Sequence, residues 1–150
     1  MTAQLQFPGG SVWRKWDLHV HSPLSILNNQ FPHSLDGSPD WDAYITKLEQ
    51  AGLSVLGITD YFTIEGYKKV REFKEAGRLG KVDLILPNIE FRLKTIISSR
   101  KDEKHMEEIR LNLHVLFSDE VAIQDIDEHF LHDLNFSYQA DPQNPTESES

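Results

Sequence analysis

The stretch Trp16-Asp17-Leu18-His19-Val20-His21-Ser22-Pro23 reads as the end of a β-strand that presents imidazoles. Successive side chains on a strand point to opposite faces. Asp17, His19 and His21 are therefore expected on one face, with Leu18 and Val20 on the other. Two imidazoles side by side at a strand end can grip one metal ion. The strand is predicted over residues 13–21, after an irregular lead-in at residues 1–12.

Residues 22–39 are rich in Ser, Pro, Asn and Gly and read as a long loop that overhangs the histidine pair. A helix follows. Ser38 is the expected cap, Pro39 suits the first helical position, and Asp40 and Asp42 favour the positive helix end. Trp41, Tyr44, Ile45 and Leu48 form its apolar stripe, and Gly52 stops it. Leu53-Ser54-Val55-Leu56-Gly57-Ile58-Thr59-Asp60 reads as a buried strand. Thr63 is placed to cap a second helix, with Tyr67, Val70 and Phe73 inward and Gly77 at its end.

A third strand is predicted within residues 82–93, ending near Asn88-Ile89-Glu90. The mixed charge of residues 94–110 suggests a solvated insert, followed by a fourth strand at 110–117. Ser118 is the expected cap of a third helix with Ile123, Ile126, Phe130 and Leu134 inward, and Phe136-Ser137-Tyr138 could open another strand. This alternation predicts an α/β fold of parallel strands with crossover helices. Either an open sheet or part of a barrel satisfies it. A closed (β/α) barrel needs about 200 residues or more, and this chain has 150. One domain over residues 13–139 and a disordered tail at 140–150 are expected.

Composition narrows the chemistry. With no cysteine, a metal site must use His, Asp and Glu, which points to a hydrolytic centre rather than a structural zinc knuckle. A net charge of −9 argues against a broad phosphate-tracking surface, though not against a phosphate ester as substrate. No apolar run is long enough to span a bilayer. Residues 1–10 lack the basic start and apolar core of a secretory signal, so a cytoplasmic location is expected.

Four groups fall at predicted strand ends: His19 with His21, Asp60, Glu90 and His114. In parallel α/β folds such ends gather where sites form. The set suits zinc, manganese or iron. Glu90, with two carboxylate oxygens, is the natural bridge between an ion on His19 and His21 and another on His114. Metal-activated water would then be the nucleophile. Each group also has an ordinary alternative. Asp60 could simply cap the turn leaving its strand, and His114 could be a core histidine. Asp17 reads as orienting an imidazole rather than binding metal. Arg92 could meet a phosphate or form a salt bridge on the strand. His33, His105, His129 and His132 read as surface residues, and Lys68 and Lys69 as solvated.

The ordered set Asp-Leu-His-Val-His-Ser (17–22), Gly-Ile-Thr-Asp (57–60), Asn-Ile-Glu (88–90) and Leu-His-Val (113–115) resembles the opening motifs of the PHP family, the polymerase and histidinol phosphatase domain. The form Trp-Arg-Lys-Trp-Asp-Leu-His-Val-His-Ser-Pro (13–23) resembles more particularly the PHP-type domain of TrlF-type AAA-like ATPases. The resemblance implies a distorted (β/α) barrel, a two- or three-metal centre and phosphoester hydrolysis. By it, His19 and His21 match the first-metal pair, Glu90 the bridging carboxylate and His114 a second-metal ligand, with Asp60 and Glu90 as catalytic residues. Tyr61 stands where a histidine commonly helps hold a third ion. The later family motifs do not occur, so the chain is expected to be the first half of such a domain. It carries no Walker-type loop of its own. The implied substrate is a phosphomonoester or a nucleic-acid phosphodiester. The alternative is a non-catalytic module that docks onto an AAA-like ATPase or another protein.

Overall fold

The computed structural model describes residues 13–27, 30–102 and 105–134, with backbone alone at 94–102 and 105–110. The predicted lead-in at 1–12, the short strand at 136–138 and the tail at 140–150 lie outside the described residues. The element order is β1 (Trp16–Val20), α1 (Trp41–Gln50), β2 (Val55–Tyr61), α2 (Glu65–Glu75), β3 (Leu84–Asp102), β4 (His105–Leu116) and α3 (Ile123–Asp125), which runs on as a π-helical segment (Ile126–Leu131). The four strands form one curled half-barrel sheet in the order β1-β2-β3-β4. Among the described residues no helix is long and apolar enough to cross a membrane.

All seven residues of β2 are buried, as a central strand covered on both faces requires. The apolar stripes fall where their period puts them. Tyr44, Ile45 and Leu48 of α1 and Tyr67 and Val70 of α2 are buried against Leu56, Ile58, Ile85 and Ile89 of the sheet. Trp41 and Phe73 stack on each other at the margin of this core. Burying one such Leu, Ile or Val contributes about 1.5–3 kcal/mol.

The loop and helix starts differ in detail from the sequence expectation. Asp40, not Ser38, caps α1, its Oδ1 accepting from the Ala43 N–H at 2.9 Å. Ser38 instead donates to Asp36, and Pro39 bridges His33. Thr63 sits one residue before the capping position of α2, yet its Oγ1 still accepts from the Glu65 N–H. The third helix begins at Ile123, because Ser118 spends its hydroxyl on a turn with Glu120. Leu134, expected inward, is 37% exposed beyond the end of that helix.

The larger correction concerns strand direction. β1, β2 and β3 are parallel, but β3 and β4 form an antiparallel hairpin. The expectation of parallel strands throughout therefore fails at the last strand. Residues 94–110 are not a loop but lie in the arms of that hairpin, with Ile96 opposite Arg110 and Ile97 opposite Ile109. The β-branched run Thr95-Ile96-Ile97 favours extended backbone more than its charged neighbours oppose it. With no crossover helix between them, antiparallel pairing is what a direct return allows.

Candidate metal centre

The site begins with a defect in β1. Three residue steps from Asp17 to Val20 match two on β2, from Leu56 to Ile58. This extra residue is a β-bulge, which breaks strict alternation and re-aims a side chain. Gly57 makes room for it, since a Cβ there would lie 2.5 Å from the Leu18 carbonyl oxygen. That carbonyl accepts from Thr59 Oγ1 at 3.1 Å and from Asn88 Nδ2 at 2.7 Å. Asp17 and His19 still share the exposed face of β1, with Leu18 and Val20 on the other. Asp17 Oδ1 accepts from the His19 backbone N–H at 3.1 Å, so it fixes the main chain and not an imidazole.

His19, His21 and Glu90 then converge. His19 Nε2 lies 3.3 Å from His21 Nε2 and 3.2 Å from Glu90 Oε2, and His21 Nε2 lies 3.4 Å from the same oxygen. Ligand atoms at about 2.0–2.1 Å from one tetrahedral ion stand about 3.3 Å apart. The three atoms therefore outline one face of a zinc-sized coordination shell. The other carboxylate oxygen, Oε1, faces His114 Nε2 at 3.8 Å and accepts from Asn112 Nδ2. His19, Glu90 and His114 each offer a ligand atom within 4.8 Å of the others, a possible metal-binding triad. His19 is the hinge of the group, its ring packed edge-on to both His21 and His114.

Glu90 is 1% exposed, and its polar neighbours include three imidazoles, the Asn112 amide and the Tyr61 hydroxyl. A buried carboxylate is costly without positive charge or good donors beside it. A divalent ion would supply that charge, and the nitrogen and oxygen donors suit zinc, manganese or iron. Burial lowers the pKa of His21 below 6.5, more than the Glu90 charge raises it. This favours the neutral imidazole that an ion needs. His21 Nδ1 lies 3.1 Å from the buried Ser25 hydroxyl, and donation there leaves Nε2 free to face the ion.

Asp60 is placed differently from the histidines. Its Oδ1 accepts from the Ser22 N–H at 2.9 Å and its Oδ2 from Ser22 Oγ at 2.7 Å. The Gly66 N–H is a further donor. Burial raises its pKa, against the pull of these donors and of His21. Asp60 thus ties the loop after His21 to the start of α2, in the spirit of the turn-capping alternative. A bulky residue in left-handed backbone, Phe62 at φ 60°, makes the turn that returns the chain to Gly66.

Tyr61 stacks on His21, with ring centroids 5.3 Å apart. Burial first, and the Glu90 charge second, raise the pKa of its hydroxyl, while Arg92 opposes the rise. The Arg92 guanidinium lies over this same ring, 5.5 Å from the Tyr61 ring centre, and donates a hydrogen bond to the Tyr61 hydroxyl. The salt bridge that was the alternative for Arg92 is not formed with any described residue. His33 and His132 are exposed, His129 pairs loosely with Asp125 on the surface, and Lys68 joins α2 to Asp127. The side chain of His105 lies outside the described residues.

Sequence reasoning missed Gly57, Asn88, Ser25 and Asn112. Only Gly57 carried a legible signal, as a lone glycine inside an apolar strand run. A cleft of 370 Å³ adjoins the centre, lined by Trp16, Asp17, Leu18, Leu116 and Asn88 together with His19 and His114. Comparison of the chain with family models, curated proteins and solved structures returned no match.

Proposed function

We propose that this domain is a divalent-metal-dependent phosphoester hydrolase of PHP type, with zinc, manganese or iron as its cofactor. The observation that carries the reading is the division of Glu90: Oε2 faces His19 and His21, while Oε1 faces His114. One carboxylate between two imidazole sets is the arrangement a two-ion centre requires. His19, His21, Glu90 and His114 would hold the ions, and Asp60 would keep the loop after His21 in place. Divalent ions held there would supply positive charge to the phosphoryl oxygens and lower the pKa of a water. The protein's own part is to hold neutral imidazoles in register, exclude solvent from Glu90 and position the ester. Of the two carboxylates expected to be catalytic, Glu90 acts through the centre, whereas Asp60, held by Ser22 and Gly66, positions the loop after His21.

The test is turnover of p-nitrophenyl phosphate with added manganese. A metal-dependent rate that His19→Ala abolishes supports the hydrolase. A second reading is a docking module for an AAA-like ATPase or another protein. It draws on Trp16 and Leu116, 61% and 44% exposed, which leave an apolar cleft uncovered. A metal-indifferent, inactive oligomer supports that reading instead.

A further inference from the structure

We propose that Arg92, seated on Tyr61, anchors a free oxygen of a phosphomonoester held at the metal centre. The inference rests on the phosphoesterase reading above and narrows its substrate class.

Asn88, Glu90 and Arg92 alternate onto one face of β3, opposite Leu116, His114 and Asn112 of β4. Two residues along a strand advance about 6.6 Å. Arg92 therefore stands one step beyond Glu90, toward the carboxyl end of the parallel strands, where ligands enter such folds. His21, Tyr61 and Arg92 form a continuous row from a proposed ligand to a cation, His21 stacked on Tyr61 and the guanidinium over the Tyr61 ring. The ring contact and a hydrogen bond to the Tyr61 hydroxyl hold the guanidinium in place, and four of its five N–H donors remain for an oxyanion.

Charge balance makes the position unusual. The chain carries 24 acidic and 15 basic residues. Arg14, Arg71 and Arg78 each pair with a carboxylate, whereas Arg92 pairs with none among the described residues. An arginine kept from carboxylates beside a buried Glu90 is suited to an oxyanion that arrives with the substrate.

Counting oxygens selects the class. A phosphomonoester has three free oxygens on phosphorus and a diester has two. If two oxygens face divalent ions, only the monoester keeps one for Arg92. Tyr61 acts here as a positioning residue.

The experiment is calorimetry on the full chain with inorganic phosphate, with and without manganese, after the manganese affinity of each variant has been measured. Arg92→Met is expected to keep the manganese affinity and weaken phosphate binding about tenfold or more. Arg92→Lys should restore part of the loss. Tyr61→Leu, which removes both the ring and the hydroxyl that hold the guanidinium, should weaken phosphate binding, and Tyr61→Phe, which keeps the ring, should recover part of that loss. The preference for p-nitrophenyl phosphate over bis(p-nitrophenyl) phosphate should fall with Arg92→Met. Unchanged phosphate affinity in Arg92→Met overturns the anchor, and Arg92→Gln repeats the measurement should the Met variant fail to fold. If the parent binds no manganese, the metal reading fails by itself. The anchor then stands only if metal-free phosphate binding depends on Arg92, and absent or Arg92-independent binding overturns it.

Discussion

Glu90 and His114 face each other across the antiparallel β3–β4 ladder, with Nε2 of the imidazole 3.8 Å from Oε1 of the carboxylate. The same carboxylate meets His19 and His21, delivered by β1 from the other side of β2. Strands of opposite direction thus supply one ligand set.

Glu90→Gln tests the shared carboxylate. The change keeps shape but removes charge from the middle of the centre. Zinc or manganese affinity by calorimetry is expected to fall about tenfold or more, since even residues that only support a ligand cost 10- to 100-fold. Equal affinity in the two proteins would exclude a bridging role.

Metal should also stabilise the fold. Ions that bind only the native state add about 2.7 kcal/mol at a free concentration 100 times Kd. Thermal unfolding with manganese and then with excess chelator is expected to show a reversible drop in Tm. A His19→Ala chain should show none, and a drop of the same size there would place the ion elsewhere.

Acid should release the metal through the imidazoles. Burial holds His21 below 6.5, so it stays neutral to lower pH than a free histidine. A proton and an ion compete for Nε2, and affinity is therefore expected to be full near neutrality and to decline as pH falls through that lowered value. Ser25→Ala should weaken metal binding by removing the partner of Nδ1. An affinity that rises toward acid pH would contradict this.

Gly66 is expected to tolerate no side chain. A Cβ there would lie 2.0 Å from Asp60 Oδ2 and 2.0 Å from Ser22 Oγ. Gly66→Ala should cost about 1–3 kcal/mol by overpacking. It should also loosen the loop that carries Ser25. Denaturant unfolding measures the first effect and metal affinity the second. A neutral substitution would show that the Asp60 clasp is dispensable.

Glu49 offers a pH-linked test away from the centre. Its carboxylate accepts from Arg78 Nε and Nη2 and from the Leu79 N–H, which lower its pKa to about 2. Leu79 is buried in left-handed backbone at φ 58°, so the clasp steadies a strained turn. A depressed carboxylate stabilises the fold above its unfolded value of 4.5 and loses that contribution as pH falls through 2. Thermal melts of Glu49→Gln should be flatter than the parent across that window.

The helices and β2 were legible because their evidence is local. A stripe such as Tyr44, Ile45 and Leu48, or a run such as Leu53 to Ile58, has a period that any compact fold must respect. His19, His21, Glu90 and His114 could be named as candidates from residue type and order along the chain, but the expected strand ends were wrong for two of them: Glu90 lies well inside β3 and His114 on an antiparallel strand. The direction of β4 was not legible, because charge along residues 94–110 masked a β-branched run whose partners lie across the hairpin.

What the sequence by itself determined is therefore which side chains are apolar inward and which can offer lone pairs. Tertiary structure alone decided that a bulge in β1 sits over Gly57, that Ser22 and Gly66 claim Asp60, and that Tyr61 seats Arg92. Each of these depends on backbone or side-chain atoms far apart in the chain meeting within a few ångströms, and no periodicity along one strand encodes such a meeting.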